Sequence, residues 1–224
     1  MKDIVIFGTG QTAEIVQCCF SRSNEYNIVA YTIHSKFFTE GKFLGLPVIP
    51  FEDLEKTYPA SKYEMFIALS YNENNQLREK IYKEVKSKNY TLASYVSPKS
   101  NLASDITYGE NCLILENNIV QPFANIGNNV FIWGGVSIGH HSVIENHCWL
   151  TPGSSIGGNT KLGSGTFLGL NSSIGHLIEI GKNNFIGANA LITKSTEDKC
   201  VYITEETKKF ILDSDKFSLI SKMT

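Results

Sequence analysis

The chain has 224 residues, and its 20 Lys and Arg nearly balance its 22 Asp and Glu. This length allows one large domain or two small ones, and the near-neutral charge gives no electrostatic case for nucleic acid or an anionic membrane. The start "MKDIVIFGTG" does not fit a secretory signal, because four apolar residues lead straight into a glycine turn. No stretch approaches the roughly 20 apolar residues of a membrane span. We therefore expect a cytoplasmic protein.

The first 92 residues alternate between strand-like and helix-like segments. The predicted strands are "DIVIFG", "YNIVAYTI", "LPVI", "EMFIALS" and "LASYV". The predicted helical segments are "QTAEIVQCCFSR", "FEDLEKTY" and "NQLREKIYKEVKSK". Strands separated by helices predict a parallel α/β sheet, which we assign to a domain over residues 1–92.

From residue 96 onward the sequence has a period of six. An apolar side chain recurs at 17 consecutive positions, all aliphatic except Tyr108: 96, 102, 108, 114, 120, 126, 132, 138, 144, 150, 156, 162, 168, 174, 180, 186 and 192. Such hexads are typical of a parallel β-helix, here over residues 93–198. Three hexads close one coil, so residues 18 apart stack at about the strand spacing of ~4.8 Å.

Two further positions of each hexad carry small residues. Glycine follows the aliphatic residue at nine of the 17 positions, and we expect it to allow the corner of the prism. A mostly small side chain comes four residues after the aliphatic one and should fill the interior beside it; Cys112 and Cys148 are examples. The five cysteines have no CxxC spacing and are expected to be reduced and buried. Residues 199–224 lie beyond the hexads and are expected to cap the open end.

The combination of "FGTGQTAEIV" with "IGHHSVIENHCWLTPGSSIGG" resembles the bacterial nucleotide-sugar acyltransferases. These include the sialic-acid O-acetyltransferase type and the amino-dideoxy-sugar N-acetyltransferases. The resemblance implies an N-terminal half-Rossmann domain, a left-handed β-helix and a homotrimer. It also implies acyl-CoA, first of all acetyl-CoA, between neighbouring prisms, a nucleotide-linked amino sugar as acceptor, and no metal. The implied role is N-acylation for lipopolysaccharide, another surface polysaccharide or a glycan.

His140 is the candidate general base. The 18-residue ladder places Gly158 one coil from His140, and acyl transfer needs a proton acceptor and a backbone N–H that stabilises an oxyanion. The resemblance assigns these two roles to His140 and Gly158, with direct transfer and no acyl-enzyme. His147 lies off this ladder and is predicted at the surface. His176 lies on the ladder but two coils from His140, which is too distant for the chemistry.

Three further residues each have two possible interpretations. His141 stands where the N-acetyltransferases often have Glu, and it either contacts the sugar or lies at a subunit contact. Trp149 either forms a wall for CoA or a longer acyl group, or packs. Asn118 either contacts the sugar or stacks inside the prism. The predicted CoA-binding residues are Trp149, Gly157, Gly158, Gly175 and Lys194.

The N-terminal "GTGQTA" gives a GxGxxA pattern in which a helix N-terminus can approach a phosphate. The second strand ends "YTIHS" without the acidic residue that holds an NAD ribose, which argues against a dehydrogenase. We therefore predict a UDP- or dTDP-sugar site. Its residues are Gly8, Thr9, Gly10, Gln11, Thr12, Ile33, His34, Ser70, Tyr71 and Asn72. Arg78 either reaches a phosphate or lies on a helix surface.

Three alternatives differ in chemistry. O-acylation of a sugar hydroxyl needs the same base and oxyanion donor, so the sequence leaves it open. A non-catalytic trimeric scaffold predicts no affinity for CoA. A zinc enzyme of the γ-carbonic anhydrase type needs three converging histidines, and His140, His141 and His147 cannot converge from one chain.

Overall fold

The computed structural model describes residues 1–221. The chain forms an α/β domain followed by a left-handed parallel β-helix, which confirms the predicted fold class. Within the described residues, no helix combines the length and apolarity needed to cross a membrane.

The α/β domain has one five-stranded sheet in the order β3-β4-β2-β1-β5, parallel except for β3. Its strands are β1 (Lys2–Phe7), β2 (Tyr26–Ile33), β3 (Lys42–Phe43), β4 (Leu46–Pro50) and β5 (Glu64–Ile67). Its helices are α1 (Gln11–Phe20), α2 (Leu54–Thr57) and α3 (Gln76–Ser87), with 3-10 turns at Ser35–Phe37 and Phe51–Asp53. The predicted strand "LASYV" is divided, because Leu92 bridges to Met65 of this sheet whereas Tyr95–Val96 begins the β-helix.

The β-helix has three faces built from two-residue strands. Face 1 holds β7 (Asn101–Leu102), β10 (Ile119–Val120), β13 (Ser137–Ile138), β16 (Ser155–Ile156), β19 (Ser173–Ile174) and β22 (Leu191–Ile192). Face 2 holds β8 (Thr107–Tyr108), β11 (Asn125–Ile126), β14 (Val143–Ile144), β17 (Lys161–Leu162) and β20 (Glu179–Ile180). Face 3 holds β6 (Tyr95–Val96), β9 (Leu113–Ile114), β12 (Phe131–Ile132), β15 (Trp149–Leu150), β18 (Phe167–Leu168), β21 (Phe185–Ile186) and β23 (Val201–Tyr202).

The hexad periodicity explains the interior of the prism. Residues 18 apart pair in register, as Ile138 does with Ile156. The aliphatic positions from Ile114 onward form one buried core, and Cys112 and Cys148 occupy the small inward position as predicted. Burial raises the pKa of the Cys148 thiol to about 12. Cys18, in contrast, is exposed, so the expectation that the cysteines are buried is wrong there.

The corner glycines have a different role from the one expected. Gly139 does not have a positive φ; it is needed because a Cβ there would lie 2.4 Å from the Gly158 nitrogen of the next coil. Between residues 111 and 189 the left-handed backbone falls instead two residues later in each hexad. Those positions, each with a φ between 54° and 75°, are Asn111, Asn117, Phe123, Asn129, Gly135, His141, His147, Gly153, Asn159, Gly165, Asn171, Leu177, Asn183 and Asn189. Asn and Gly predominate because they tolerate this conformation best.

The C-terminal end of the prism is closed by a shortened coil. β23 pairs with β21 at a spacing of 16 residues rather than 18. Where a further face 2 strand would lie, side chains take over its hydrogen bonds: Ser195 Oγ accepts from Glu179 N, and Asp198 Oδ1 accepts from Lys182 N. Residues 205–220 are almost wholly exposed, and α4 (Ser214–Ser221) begins within them. Of the predicted cap, only residues 199–204 therefore pack at the end of the prism, and residues 222–224 lie outside the described residues.

Face 3 is covered by the α/β domain. Its outward side chains, including Phe131, Trp149 and Phe167, join a core with Phe20 and Phe66 of that domain. The rings of Phe66 and Phe131 stack with their centroids 5.8 Å apart. The corner between faces 1 and 2 lies across the prism from this contact and stays uncovered.

Candidate active site

The histidine corner (residues 139–142) joins β13 of face 1 to β14 of face 2. Both histidine side chains are exposed, and His141 has a φ of 59°. The preceding coil holds their backbone: His140 N donates to Gln121 Oε1 at 2.9 Å, and His141 N donates to the Pro122 carbonyl at 3.1 Å. The backbone of the candidate base is therefore fixed although its ring is open to solvent.

The imidazole rings of His140 and His141 contact each other through their Nδ1 atoms. His140 Nδ1 lies 3.1 Å from His141 Nδ1. One of these nitrogens must carry a proton and the other must accept the hydrogen bond. If His140 donates, its Nε2 has a free lone pair. The adjacent histidine thus orients the ring of His140, although it supplies no negative charge.

Gly158 lies directly against the His140 ring, as the ladder predicts. A Cβ at Gly158 would lie 2.8 Å from His140 Nε2 and 2.9 Å from Cε1, so the ring can lie there only because residue 158 lacks a side chain. Within residues 1–221, the Gly158 N–H donates to no acceptor. A free backbone N–H beside an imidazole nitrogen is the arrangement that acyl transfer requires.

The other predicted CoA-binding residues lie in different places. Gly157 packs against the next coil, where a Cβ would lie 2.6 Å from His176 N. His176 and Lys194 are exposed, and Gly175 is half-buried. Trp149 lies on face 3 rather than near His140. It packs against Phe131 and lines an apolar groove of about 450 Å³ with Tyr71, Trp133, Phe167, Leu170 and Phe185.

Asn118 lies inside the prism with no exposed surface. Its Nδ2 donates to the Leu115 carbonyl at 2.7 Å, and its Oδ1 accepts from Val136 N at 2.7 Å. Both ends of the amide are thus engaged within the coils. This is the stacked arrangement rather than the sugar contact, and our proposed site omits Asn118.

The corner between faces 2 and 3 contains a buried polar network that the sequence did not predict. Arg78 is completely buried, so neither a phosphate contact nor a helix surface describes it. Its guanidinium donates to the carbonyl and to Oδ1 of Asn129, to Asn75 Oδ1 at 2.7 Å and to the His147 carbonyl at 3.1 Å. Its Cζ also lies 4.5 Å from the centre of the Phe131 ring. Arg78 therefore joins α3 to the β-helix.

His147 belongs to this network and is not a surface residue. Its Nδ1 lies 2.8 Å from Asn129 Nδ2, and its ring meets Tyr82 edge-on at 5.3 Å. Asn129 Oδ1 already accepts from Arg78 and Asn111, so Asn129 Nδ2 must face His147. His147 Nδ1 is thus an acceptor. Burial, aided by Arg78, lowers the pKa of His147 to about 4.

The predicted nucleotide-binding residues converge at one edge of the α/β sheet. β1, β2 and β5 are neighbours, and their carboxyl ends lead into Gly8–Thr12, His34 and Ser70–Asn72. Gly8 has a φ of 122°, and a Cβ there would lie 2.8 Å from the Ala68 carbonyl oxygen. The chain crosses from one side of β1 to the other between β2 and β5, which makes this edge a switch point, where α/β sheets bind ligands.

Two residues of this set already have partners within the chain. His34 lies between two carboxylates, with Nδ1 at 3.1 Å from Glu52 and Nε2 at 2.9 Å from Glu84. The ring of Tyr71 packs on Phe167 at 4.7 Å. Among residues 1–221, no three or more His, Cys, Asp or Glu side chains form a group that could hold a metal ion.

Comparisons with known proteins agree with this architecture. The family of PglD N-terminal domains matches residues 3–85, and no curated protein matches the chain. Perosamine N-acetyltransferase from Caulobacter crescentus, solved as a variant with CoA and GDP-perosamine, is 20% identical over 90% of this chain and 93% of its own, with a TM-score of 0.80.

Two other solved structures are similar over the same length. The acetyltransferase domain of PglB from Neisseria gonorrhoeae is 18% identical over 90% of this chain and 96% of its own, with a TM-score of 0.76. WeeI from Acinetobacter baumannii has the same identity and coverage, with a TM-score of 0.68. Residues 3–85 therefore match the family of PglD N-terminal domains, and the chain as a whole shares its fold with these three solved structures.

Proposed function

We propose that the protein is an acyl-CoA-dependent N-acyltransferase, with acetyl-CoA as the first donor to test. Its acceptor is a nucleotide-linked amino-deoxy sugar, and it acts in the cytoplasm in surface-polysaccharide, lipopolysaccharide or glycan biosynthesis. The observation that carries this proposal is the His140 imidazole resting on Gly158, whose N–H is free within the described residues. The solved relatives bound to CoA, GDP-perosamine or acetyl coenzyme A support this choice of substrates.

The geometry supports direct transfer with His140 as general base. In the tautomer in which His140 Nδ1–H donates a hydrogen bond to His141 Nδ1, Nε2 is free to accept a proton from the sugar amine as the amine nitrogen attacks the thioester carbonyl. The Gly158 N–H stabilises the oxyanion. When the tetrahedral intermediate collapses, the C–S bond breaks and Nε2 returns the proton to the CoA sulfur. The products are an N-acyl sugar and free CoA, with no covalent enzyme intermediate.

The position of the two sites within one chain supports an oligomer, for which we propose a homotrimer. The α/β domain covers face 3, whereas His140 lies at the opposite corner of the prism. A nucleotide bound near Gly8 is thus separated from its own chain's His140 by the β-helix. A sugar held at Gly8 reaches a base only if that base belongs to another copy.

The switch point of the α/β sheet is the proposed nucleotide site. Gly8 and Gly10 keep side chains away from the turn, and the first amides of α1, at Gln11 and Thr12, have no carbonyl to bind within the helix. A diphosphate can accept from such amides. Experiment must identify the nucleobase of the sugar nucleotide. GDP-sugars are tested beside UDP- and dTDP-sugars because perosamine N-acetyltransferase was solved with GDP-perosamine.

The first test is mass spectrometry of UDP-, dTDP- and GDP-linked 4-amino-6-deoxy sugars incubated with acetyl-CoA. Wild type should acetylate one of them, and His140→Ala should lower the rate by ~10²- to 10⁴-fold, the usual contribution of a general base. His176→Ala is the matched control, because it also removes an exposed histidine of the same ladder.

Each outcome has a clear meaning. Full turnover by His140→Ala would show that another group is the base. Transfer to a sugar hydroxyl alone would replace N-acylation by O-acylation. Failure of wild type to bind CoA would favour the non-catalytic scaffold.

A further inference from the structure

We infer that the QPF turn (Gln121–Phe123) positions the His140–His141 pair, and that Phe123 is the positioning residue that fixes the ring of His141. This inference rests on the proposed role of His140 as the base. Three contacts with the preceding coil carry it: Gln121 Oε1 with His140 N, the Pro122 carbonyl with His141 N, and the ring of Phe123 with the ring of His141.

The ring contact is the only one of the three that acts on a side chain of the pair. The centroids of Phe123 and His141 lie 4.6 Å apart, at an interplanar angle of 39°. His141 is exposed, and an exposed imidazole otherwise rotates among its staggered side-chain conformations. Packing on Phe123 selects the rotamer in which His141 Nδ1 lies 3.1 Å from His140 Nδ1. Phe123 thus acts on the base through His141.

The backbone at Phe123 shows that this residue is unfavourable for the fold alone. Phe123 has a φ of 64° at the turn position that Asn and Gly usually occupy in this chain, and its side chain is 61% exposed. A bulky residue in the left-handed region destabilises the fold, and an exposed side chain buries too little apolar surface to offset that cost. The turn itself is held separately, because Phe123 N donates to Asp105 Oδ2 at 3.0 Å.

Leu177 provides a matched comparison. It occupies the same turn position two coils beyond His141, with a φ of 59° and 70% exposure. It lines a shallow cavity of about 250 Å³ together with His141, but its aliphatic side chain has no ring that could pack on an imidazole as Phe123 does. Substitution of Leu177 therefore reproduces the backbone effect of changing Phe123 without the ring contact.

The test compares Phe123→Asn, Phe123→Tyr and Leu177→Asn. Asn suits the turn, and Tyr differs from Phe only by a hydroxyl on an exposed ring, so all three variants should fold. We expect Phe123→Asn to lower kcat about tenfold while the KM for acyl-CoA stays within twofold. Phe123→Tyr should restore most of kcat, and Leu177→Asn should leave both constants near wild type. Full activity of Phe123→Asn would overturn the inference, and so would an equal loss in Leu177→Asn.

A spectroscopic measurement separates this inference from the proposed function. Two-bond ¹H–¹⁵N correlation spectra of the histidines report which ring nitrogen carries the proton, without any substrate. Wild type and Phe123→Tyr should show a fixed Nδ1–H tautomer at His140, and Phe123→Asn should show averaging of the two tautomers. If wild type transfers no acyl group but this shift occurs, the positioning inference stands and the proposed function fails. An unchanged tautomer in Phe123→Asn would overturn the inference. Loss of the oligomer together with kcat would instead assign Phe123 to subunit packing.

Discussion

Two corners of the β-helix use the same backbone turn for opposite purposes. The histidine corner stacks Phe123, His141, Asn159 and Leu177 between faces 1 and 2. The arginine corner, which we define by the stack Asn111, Asn129, His147, Gly165 and Asn183, lies between faces 2 and 3. All nine residues have a positive φ at the same hexad position. The first stack faces solvent, whereas the second lies against α3 and the loop before it.

The difference between the corners shows what covering a turn does to a histidine. His147 and His141 stand six residues apart in the same conformation. Arg78, Asn129 and Tyr82 enclose His147 and hold it neutral, so it contributes to stability. Among the described residues, the rings that contact His141 are those of Phe123 and His140, and its own ring is exposed and remains available to act on a base. The repeat sets the backbone, and the neighbouring domain determines the chemistry.

The largest expected effect follows from removing the cation of the arginine corner. Arg78→Met leaves Asn75 Oδ1 and the carbonyls of Asn129 and His147 unpaired in a buried site, whereas Asn129 Oδ1 keeps its bond from Asn111. Each unpaired buried acceptor costs ~1–3 kcal/mol, so the free energy of unfolding should fall by ~4 kcal/mol. Thermal unfolding followed by circular dichroism measures this loss.

Arg22→Met is the control for Arg78→Met, because Arg22 is exposed and its loss should cost under ~0.5 kcal/mol. Equal melting temperatures for the two variants would show that the corner network contributes nothing to stability.

The next effect is a pH dependence of stability that originates in His147. Its pKa is lowered from 6.5 to about 4 in the folded chain, so the unfolded chain binds the proton more tightly. Its contribution is therefore complete above pH 6.5 and is lost as the pH falls toward 4, by ~3 kcal/mol in total. Urea unfolding of wild type between pH 7 and pH 4 should show this slope.

His147→Asn should flatten the slope, and the turn should tolerate it because Asn accepts a positive φ. His176→Asn, which changes an exposed histidine, should keep the slope. If His147→Asn kept the wild-type slope, the pH dependence would have another origin.

The smallest expected effect is a change at the histidine corner that lowers the rate of acyl transfer and leaves the stability of the fold unchanged. In Gly158→Ala the new Cβ would lie 2.8 Å from His140 Nε2, and the exposed imidazole moves more easily than the backbone. A displacement of about 1 Å in a catalytic group can cost ~10²-fold in rate. We therefore expect about a hundredfold slower acyl transfer, with an unchanged melting temperature.

Gly41→Ala is the matched control for Gly158→Ala, because a Cβ there meets nothing within 4 Å. A transfer rate for Gly158→Ala within twofold of wild type would show that His140 does not need this surface.

The interior of the β-helix could be predicted because each inward position depends on residues 18 apart in one repeating pattern. Ile138 and Ile156, and the small residues Cys112 and Cys148, lie where that pattern places them. The positive-φ turn is also visible in the sequence, as Asn or Gly recurring at a six-residue period, but the glycine that follows nine of the 17 apolar hexad positions obscured it. That glycine reflects the close approach of coils rather than its own φ.

The sequence by itself determined two things: an α/β domain with a glycine turn after its first strand, and a β-helix that brings Gly158 beside His140. Both follow from local periodicity, which fixes the face on which each side chain lies. Only the tertiary structure decided that Arg78 and His147 are buried, that Asn118 points inward with its amide satisfied, and that Phe123 packs on His141. The burial of His147 and the exposure of His141 depend on which corner the α/β domain covers, because the same turn at an uncovered corner leaves its histidine exposed.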